Sequence, residues 1–361
     1  MKIATKRVVV AATALLLTAG TLTACSSTSN GSGTAAKDNF KIGLLLPDIV
    51  TARYESADRP YFEAEVKRLA PNATVLYQNA ASDASKQQQQ AQAMIAQGVK
   101  VLVLDAFDGD AAQSIVTAAK AKKIPVIDYD RLVAGGQSDY YISFDNEKVG
   151  ELQGQAFVDN LKANGVPTGT NILMIDGSPT DNNATLFAQG AHKIIDASGY
   201  KPLDEYKTPG WEPAKAQTWV TSQITKYGSQ IKGIYAANDG TAGGAIAALK
   251  AKKIDPSKLS ITGQDASLAG IQSILAGDQF MTIYKAFKPE ADQAADLAVK
   301  LAKGQKPTAP TTVSGVPSFL LVPVAVTVKN IEDTVVKDKL YTVAEICTTA
   351  YAAACTANGV Q

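Results

Sequence analysis

The stretch from Val99 to Arg131, VKVLVLDAFDGDAAQSIVTAAKAKKIPVIDYDR, holds one full turn of the pattern that decides the fold. An apolar run, VKVLVLD, ends on Asp105. Ile115, Val116 and Ala119 then fall on one face of a helix. A second apolar run, IPVIDYDR, ends on Arg131. Strands alternating with helices in this way imply a parallel sheet covered on both faces.

The pattern extends outward in both directions. KIGLLLPD (41–48) and ATVLYQN (73–79) precede it; NILMIDGSP (171–179), KPLDEYK (201–207), IKGIYAAND (231–239), LSITGQD (259–265) and MTIYK (281–285) follow. Between them Phe62, Val66 and Leu69 share one helical face, as do Ala91, Met94 and Ile95. Asp83 and Asp110 stand where N-caps are expected. The four glutamines from Gln87 read as the solvated face of a helix.

One βα set ends near Ser143 and a second begins near Asn171, so the chain is expected to be α/β, with two similar doubly wound parallel-sheet lobes in series. The segments from Tyr284 on are then shared between the lobes. Crossings near Asp145, Thr282 and Pro317 make a three-stranded hinge, which assigns 38–144 plus 284–317 to an N-terminal lobe and 145–283 plus 318–346 to a C-terminal lobe.

The start of the chain sets the compartment. Lys2, Lys6 and Arg7 precede an apolar run from Val8 to Leu17, and Leu22-Thr23-Ala24-Cys25 follows. This is the layout of a signal peptide over 1–24, and the run is shorter than the ~20 residues that span a bilayer. The small residues before Cys25 resemble a bacterial lipobox, which makes Cys25 the acylated first residue of an extracytoplasmic lipoprotein on the outer face of the cell membrane. Residues 25–37 are rich in Ser, Thr and Gly and read as a flexible tether.

Acidic and basic residues nearly cancel, 34 against 35, so nothing electrostatic favours nucleic acid and the partner is expected to be neutral. With Cys25 lipidated, Cys347 and Cys355 remain as a pair, read as a disulfide in a C-terminal tail, 347–361. Such a short closed loop is worth ~2–3 kcal/mol. The single histidine, His192, lies far away in sequence on a polar helical stretch, and no metal or cofactor is expected.

In open parallel sheets, ligands sit outside the carboxyl ends of the strands. Asp48, Arg131, Asp181, Asn183, Asn238, Asp239, Asp265 and Lys285 all follow strands. Carboxylates accept hydrogen bonds, Arg and Lys donate, and Asn does both, which suits the hydroxyls of a neutral polyol. Trp211 and Tyr54 lie in loops from which two rings on opposite lobes would sandwich a sugar. Asp239 and Asp105 are read as helix N-caps, and Trp219, among helical neighbours, as packing.

YISFDNEKVGELQ (141–153), GSPTDNNATLF (177–187), ANDGTAGGAIAAL (237–249), ITGQDASLAGI (261–271) and MTIYK (281–285) resemble, in order, segments of the type I periplasmic sugar-binding proteins of ABC importers, and within them the xylose-binding proteins. The resemblance runs from about Lys41 to Lys337. It implies a monosaccharide ligand, a permease partner, a monomer and no enzymatic step. It also implies sugar contacts at Arg53, Tyr54, Arg131, Asp181, Asn183, Trp211, Asn238, Asp265 and Lys285. The sequence departs from the family at Tyr54, which stands at the position aligned with a stacking tryptophan, at Pro60 early in the first helix, and in the Cys-containing tail.

Two rival readings stand beside this one. Asp181 and Asp265 could serve as the carboxylate pair of a glycoside hydrolase, although Arg and Asn around a carboxylate keep it ionised where a general acid needs its pKa raised. A sensor that presents sugar to a receptor has the same sequence features as a transport protein. Gly240, Gly243 and Gly244 lack the Gly-Lys-Ser/Thr ending of a P-loop and are read as a close-packed helix start.

Overall fold

Residues 39–135 and 137–361 are described by a computed structural model. The expected signal peptide, the lipidated Cys25 and the tether lie outside the described residues. The first lobe opens with β1 (Lys41–Leu46), α1 (Arg59–Leu69), β2 (Thr74–Asn79), α2 (Ala84–Ala96), β3 (Val101–Leu104), α3 (Gln113–Ala121), β4 (Val126–Tyr129) and β5 (Tyr140–Phe144). The second contains α4 (Asn146–Ala163), β6 (Asn171–Asp176), α5 (Asn182–Ser198), β7 (Lys201–Lys207), α6 (Pro213–Tyr227), β8 (Gly233–Ala236), α7 (Asp239–Ala251), β9 (Ser260–Ile261), α8 (Leu268–Leu275) and β10 (Met281–Tyr284). The chain closes with α9 (Phe287–Ala302), β11 (Thr311–Val313), β12 (Val316–Leu321), β13 (Val324–Thr327), α10 (Val343–Ile346) and α11 (Ala352–Asn358).

The first sheet has the order β11-β12-β5-β4-β3-β1-β2, parallel except where β11 meets β12. The second is β7-β6-β8-β9, all parallel, and an antiparallel β10-β13 pair lies beside it through the Gln264–Ile283 bridge. Position in the sheet matches composition. The central strands VLVL and GIYA are buried throughout. The edge strands TVLYQN and KPLDEYK are half-exposed and polar, which blunts an edge against pairing with other chains.

Three crossings join the lobes. The first follows β5 at Asp145, whose side chain caps α4 by accepting from the Lys148 N–H (3.1 Å). The second lies beyond Thr282, which is inside β10, and falls at Lys285–Ala286 before α9 packs Ala291, Ala294 and Leu297 into the first core. The third also moves: Pro317 pairs with Thr312 inside the first sheet, so the chain leaves that sheet only after Leu321. The backbone continuity of β12 past the proline is possible because proline is tolerated where its missing N–H faces no partner.

Pro60 lies near the start of α1 but inside helical backbone that runs on from Arg53, directly after a π-helical turn over Tyr54–Asp58. Asp83 caps α2 through the Lys86 N–H (3.0 Å). Asp110 caps nothing: α3 starts at Gln113, and Asp108 instead accepts from the N–H groups of Asp110 and Ala111. Trp219 stacks on Tyr206 at 5.4 Å between centroids, as packing requires. Of the α7 glycines only Gly244 is closely packed, against the Pro213 carbonyl; Gly243 has open space. The tail, in which the sulfurs of Cys347 and Cys355 lie 2.01 Å apart, packs on α8 and shares a core with Ile271, Ile274 and Leu275.

Helices α4 and α5 cross at Gly150 and Gly190, each of which lies against the other helix's backbone. A Cβ at Gly150 would meet the Phe187 carbonyl well inside contact distance. Gly150→Ala is expected to cost about 1–3 kcal/mol by forcing the helices apart, read as a lower urea midpoint with unchanged slope.

Asp128 is buried in β4, and burial raises its carboxyl to about 7 against the hydrogen bonds from Ser138 and Val133 that lower it. A carboxyl raised on folding binds its proton more tightly in the native state, so stability falls as pH climbs from ~4 to about 7 and is level beyond. Asp128→Asn is expected to remove that part of the slope, leaving the variant's melting temperature flatter than the wild type's across this range.

Candidate functional site

The carboxyl ends of both sheets face each other across a cleft, and the residues expected there meet around one small, nearly closed cavity. From the first lobe, Arg53 and Tyr54 come from the π-helical turn after β1, and Arg131 from the end of β4. From the second, Asp181 and Asn183 start α5, Trp211 precedes α6, Asn238 follows β8, Asp265 follows β9 and Lys285 follows β10. All nine line the cavity. So do Thr51, Asp130, Phe187 and Gln264, which sequence reasoning passed over. Asp130 is the neighbour of Arg131 in DYDR, Gln264 the neighbour of Asp265, and Phe187 lies one helical turn after Asn183, so each stood beside a residue already singled out.

Two buried guanidinium groups organise the first-lobe wall. Arg131 has Asp181 Oδ2 at 3.0 Å from Nε, Asp48 Oδ2 at 3.3 Å from Nη2, and Asp105 Oδ1 at 3.6 Å from Nε. Arg53 donates to Asp58 through Nε (2.8 Å) and Nη2 (2.6 Å), to Asp130 through Nη1 (3.0 Å) and to Glu290 through Nη2 (2.5 Å). Both guanidinium carbons stand 5.6 Å from the centroid of the Tyr54 ring, within cation–π range.

This overturns the reading of Asp105 as a helix cap. It is fully buried behind Arg131, with neither oxygen hydrogen-bonded. Asp239 is not a cap either. Asn238 holds that place, in a capping box with Thr241, while Asp239 accepts from Gln279, Thr282 and the Ser267 N–H and hydroxyl. Asp239 thereby ties α7 to α8 and β10.

Asp181 is the point where the second lobe is pinned. It caps α5 by accepting from the Asn183 N–H (2.9 Å), accepts from Trp211 Nε1 (3.0 Å), and faces Arg131 across the cleft. Trp211 adopts a left-handed backbone (φ 58°), and its ring lies against Gly177, where a Cβ would have no room. It also meets Phe187 edge-on at 6.3 Å. At 4 % exposure it is both cavity wall and core, so the alternatives of contact and packing merge in one residue.

The lobes are joined directly at the same level. Asn183 Nδ2 donates to the Asp130 carbonyl (2.8 Å), Lys285 Nζ lies 3.1 Å from Asp265 and 3.8 Å from Asp130, and the Gly109 N–H donates to the Thr180 carbonyl (3.1 Å). Burial acts on several of the charges here. It raises the carboxyls of Asp105, Asp181 and Glu290, with the guanidinium groups pulling the other way. At Asp130 burial is outweighed by Arg53, Lys285 and Arg131, which take it down to about 2. Lys285, which burial alone would lower, is raised by Asp265 and Asp130.

On the cavity wall Gln264 Oε1 has no partner in the protein, whereas Asp265 Oδ1 and Arg131 Nε, which make no hydrogen bond of good geometry, are ion-paired with Lys285 Nζ (3.1 Å) and Asp181 Oδ2 (3.0 Å). Among the described residues no group of three His, Cys, Asp or Glu is placed to hold a metal ion. His192, on α5, pairs with Asp196 and Glu205, away from the cleft.

The profile of the periplasmic binding protein domain matches residues 42–306. The chain is 40% identical over 333 residues to the D-xylose-binding periplasmic protein of Escherichia coli, covering 90% of this chain and 98% of that one. With the protein of the same description from Haemophilus influenzae it shares 39% over 337 residues, 91% and 97% of the two chains. A solved ABC transporter solute binding protein from Clostridium phytofermentans with bound β-D-glucose superposes with a TM-score of 0.76 at 28% identity, covering 85% of this chain and 99% of that one. Matches of this extent, over a two-lobed fold with its polar residues gathered in the cleft, establish that the chain belongs to the periplasmic binding protein family, among its type I sugar-binding, non-enzymatic members.

Proposed function

We propose that this chain is an extracytoplasmic lipoprotein that closes on a single monosaccharide, D-xylose, and delivers it to an ABC importer. The observation that carries the reading is the cavity wall. It combines charged donors and acceptors and one unpartnered amide oxygen, Gln264 Oε1, with the rings of Tyr54, Phe187 and Trp211. Buried polar groups are normally hydrogen-bonded, so this wall calls for a ligand that both donates and accepts around its rim and presents C–H faces to rings. The relatives named for D-xylose make a pentose the first choice.

In this reading Arg53, Arg131 and Lys285 donate to the sugar, and Asp181 and Asp265 accept. Asn183 and Asn238 do either, and Tyr54 and Trp211 cover its faces. The ligand favours the closed form because it touches both lobes only there. The protein acts as a monomer, without cofactor or metal, held at the outer face of the membrane by lipid on Cys25, and the importer's permease receives the closed form. The Cys347–Cys355 bridge forms in that oxidising compartment and fixes the tail on α8.

Calorimetric titration of the mature chain with xylose, ribose, arabinose, glucose and galactose tests the reading. Xylose is expected to bind tightest. Arg131→Lys, which keeps the charge among three carboxylates but loses the planar fork, is expected to weaken binding about ten- to a hundredfold. Heat with another aldose alone would change the ligand and leave the site; no heat with any would refute the monosaccharide reading. Replacing both Cys347 and Cys355 by Ser is expected to cost ~2–3 kcal/mol of stability and to leave affinity unchanged.

A further inference from the structure

We infer that Glu290 is a positioning residue for the cleft: from the first turn of α9 it fixes the Arg53 guanidinium so that a single N–H, on Nη1, is left for the ligand. The inference rests on the reading of Arg53 as a sugar contact. A guanidinium has five N–H donors. Nε uses its one on Asp58, Nη2 both of its own on Asp58 and Glu290, and Nη1 one on Asp130. One donor of a residue that lines the cavity is therefore uncommitted.

The plane of the group is set from below. The Phe287 ring lies 4.1 Å from the guanidinium carbon, and Phe287 and Glu290, three residues apart, share one face of α9. Asp58, whose carboxylate also accepts from the Tyr129 hydroxyl on β4, and Asp130 hold two sides of the group, and Glu290 holds Nη2 from a third element. Glu290 comes from 237 residues away, immediately after the second interlobe crossing. The segment that carries the chain between lobes thus gives Lys285 to the cavity and Glu290 to the arginine behind it.

Nothing about stability explains Glu290. It is 0 % exposed, one of its oxygens has no partner, and it is the third carboxylate on a cation that Asp58 and Asp130 already neutralise. A buried ion pair of this kind is commonly no better for stability than an apolar residue of similar volume. Removing it leaves Arg53 paired, so the usual penalty for stranding a buried charge does not arise.

The test compares Glu290→Leu, Glu290→Gln and Glu290→Asp, each alone and with Arg53→Ala, by calorimetry with the sugar that the wild type binds and by urea unfolding. Glu290→Leu is expected to bind about ten- to a hundredfold more weakly, the loss of one oriented charge-assisted hydrogen bond, with stability equal to or above the wild type. Glu290→Gln keeps an acceptor at the same reach and is expected to restore affinity to within about threefold. Glu290→Asp keeps the charge but withdraws the acceptor and is expected to weaken binding even if the Leu variant does not fold. In the Arg53→Ala background none of the three should weaken binding further. Wild-type affinity in the Asp variant or in a folded Leu variant, or an equal loss without Arg53, would overturn the inference. If the wild type binds no aldose, the monosaccharide reading fails on its own. The positioning role is then decided by crystal structures, in which the guanidinium of Glu290→Leu must leave Asp130; an unmoved guanidinium overturns it.

Discussion

Two guanidinium groups buried beside one tyrosine ring, each among three carboxylates, are the constraint to which the rest of the cleft is fitted. Ions cannot be taken out of water singly; each needs partners with good geometry within a few ångströms. Those partners come from the ends of β1, β3 and β4, the starts of α5 and α9, and the π-helical turn. A parallel sheet delivers them because every strand ends on the same side, and a second lobe is needed because Asp181 reaches Arg131 only from across the cleft. The charges thus fix how closely the lobes meet.

The alternation of strands and helices was legible because buried parallel strands are continuous apolar runs bounded by polar residues, and VLVL and VIDY are as buried as that reading requires. The candidate cleft was legible for the same topological reason: most of the polar residues that follow strands, though not Asp48 or Asp239, line one cavity. Misreadings arose where an aspartate had two possible duties. Asp105, Asp110 and Asp239 each stand before a helix in sequence, but α3 starts from Ala112 in helical backbone with no side-chain cap, and at α7 the cap falls to the neighbour with the extended backbone for it. Asn238 has that conformation (φ −149°, ψ 170°) and displaces Asp239 into a four-donor cluster that no spacing announces. The crossing points were shifted by a similar limit. Pro317 reads as a break, yet strand β12 runs through it, because pairing partners rather than propensity decide where an edge-side strand stops.

Glu290 was invisible for a different reason. It occurs in FKPEADQAADLAVKLA, an amphipathic helix in which one more glutamate on a charged stretch carries no signal. Only the packing of α9 on the first core turns that residue inward, and only the long-range contact with Arg53 gives it a role. Function carried by residues behind a site is hard to read from sequence, because their partners are set by the tertiary fold and not by motif spacing.

The contacts across the cleft mouth show how closure can be ligand-dependent without being ligand-made. Gly109 to Thr180, Thr180 Oγ1 to Phe107 and Asn183 to Asp130 are neutral hydrogen bonds to backbone carbonyls, each worth only ~1 kcal/mol net. In the proposed open form Arg131, Asp181 and Lys285 would return to water, which offsets part of that gain. The balance between forms therefore rests on small differences, and a ligand shifts it only by the free energy of contacts it makes in the closed form alone. Asp181 sits where these terms meet. It caps a helix, holds Trp211 and faces Arg131, so a hydroxyl bonded to any of these three acts on the others through one carboxylate. A cleft built in this way couples recognition of the ring to the position of both lobes without needing a separate relay between them.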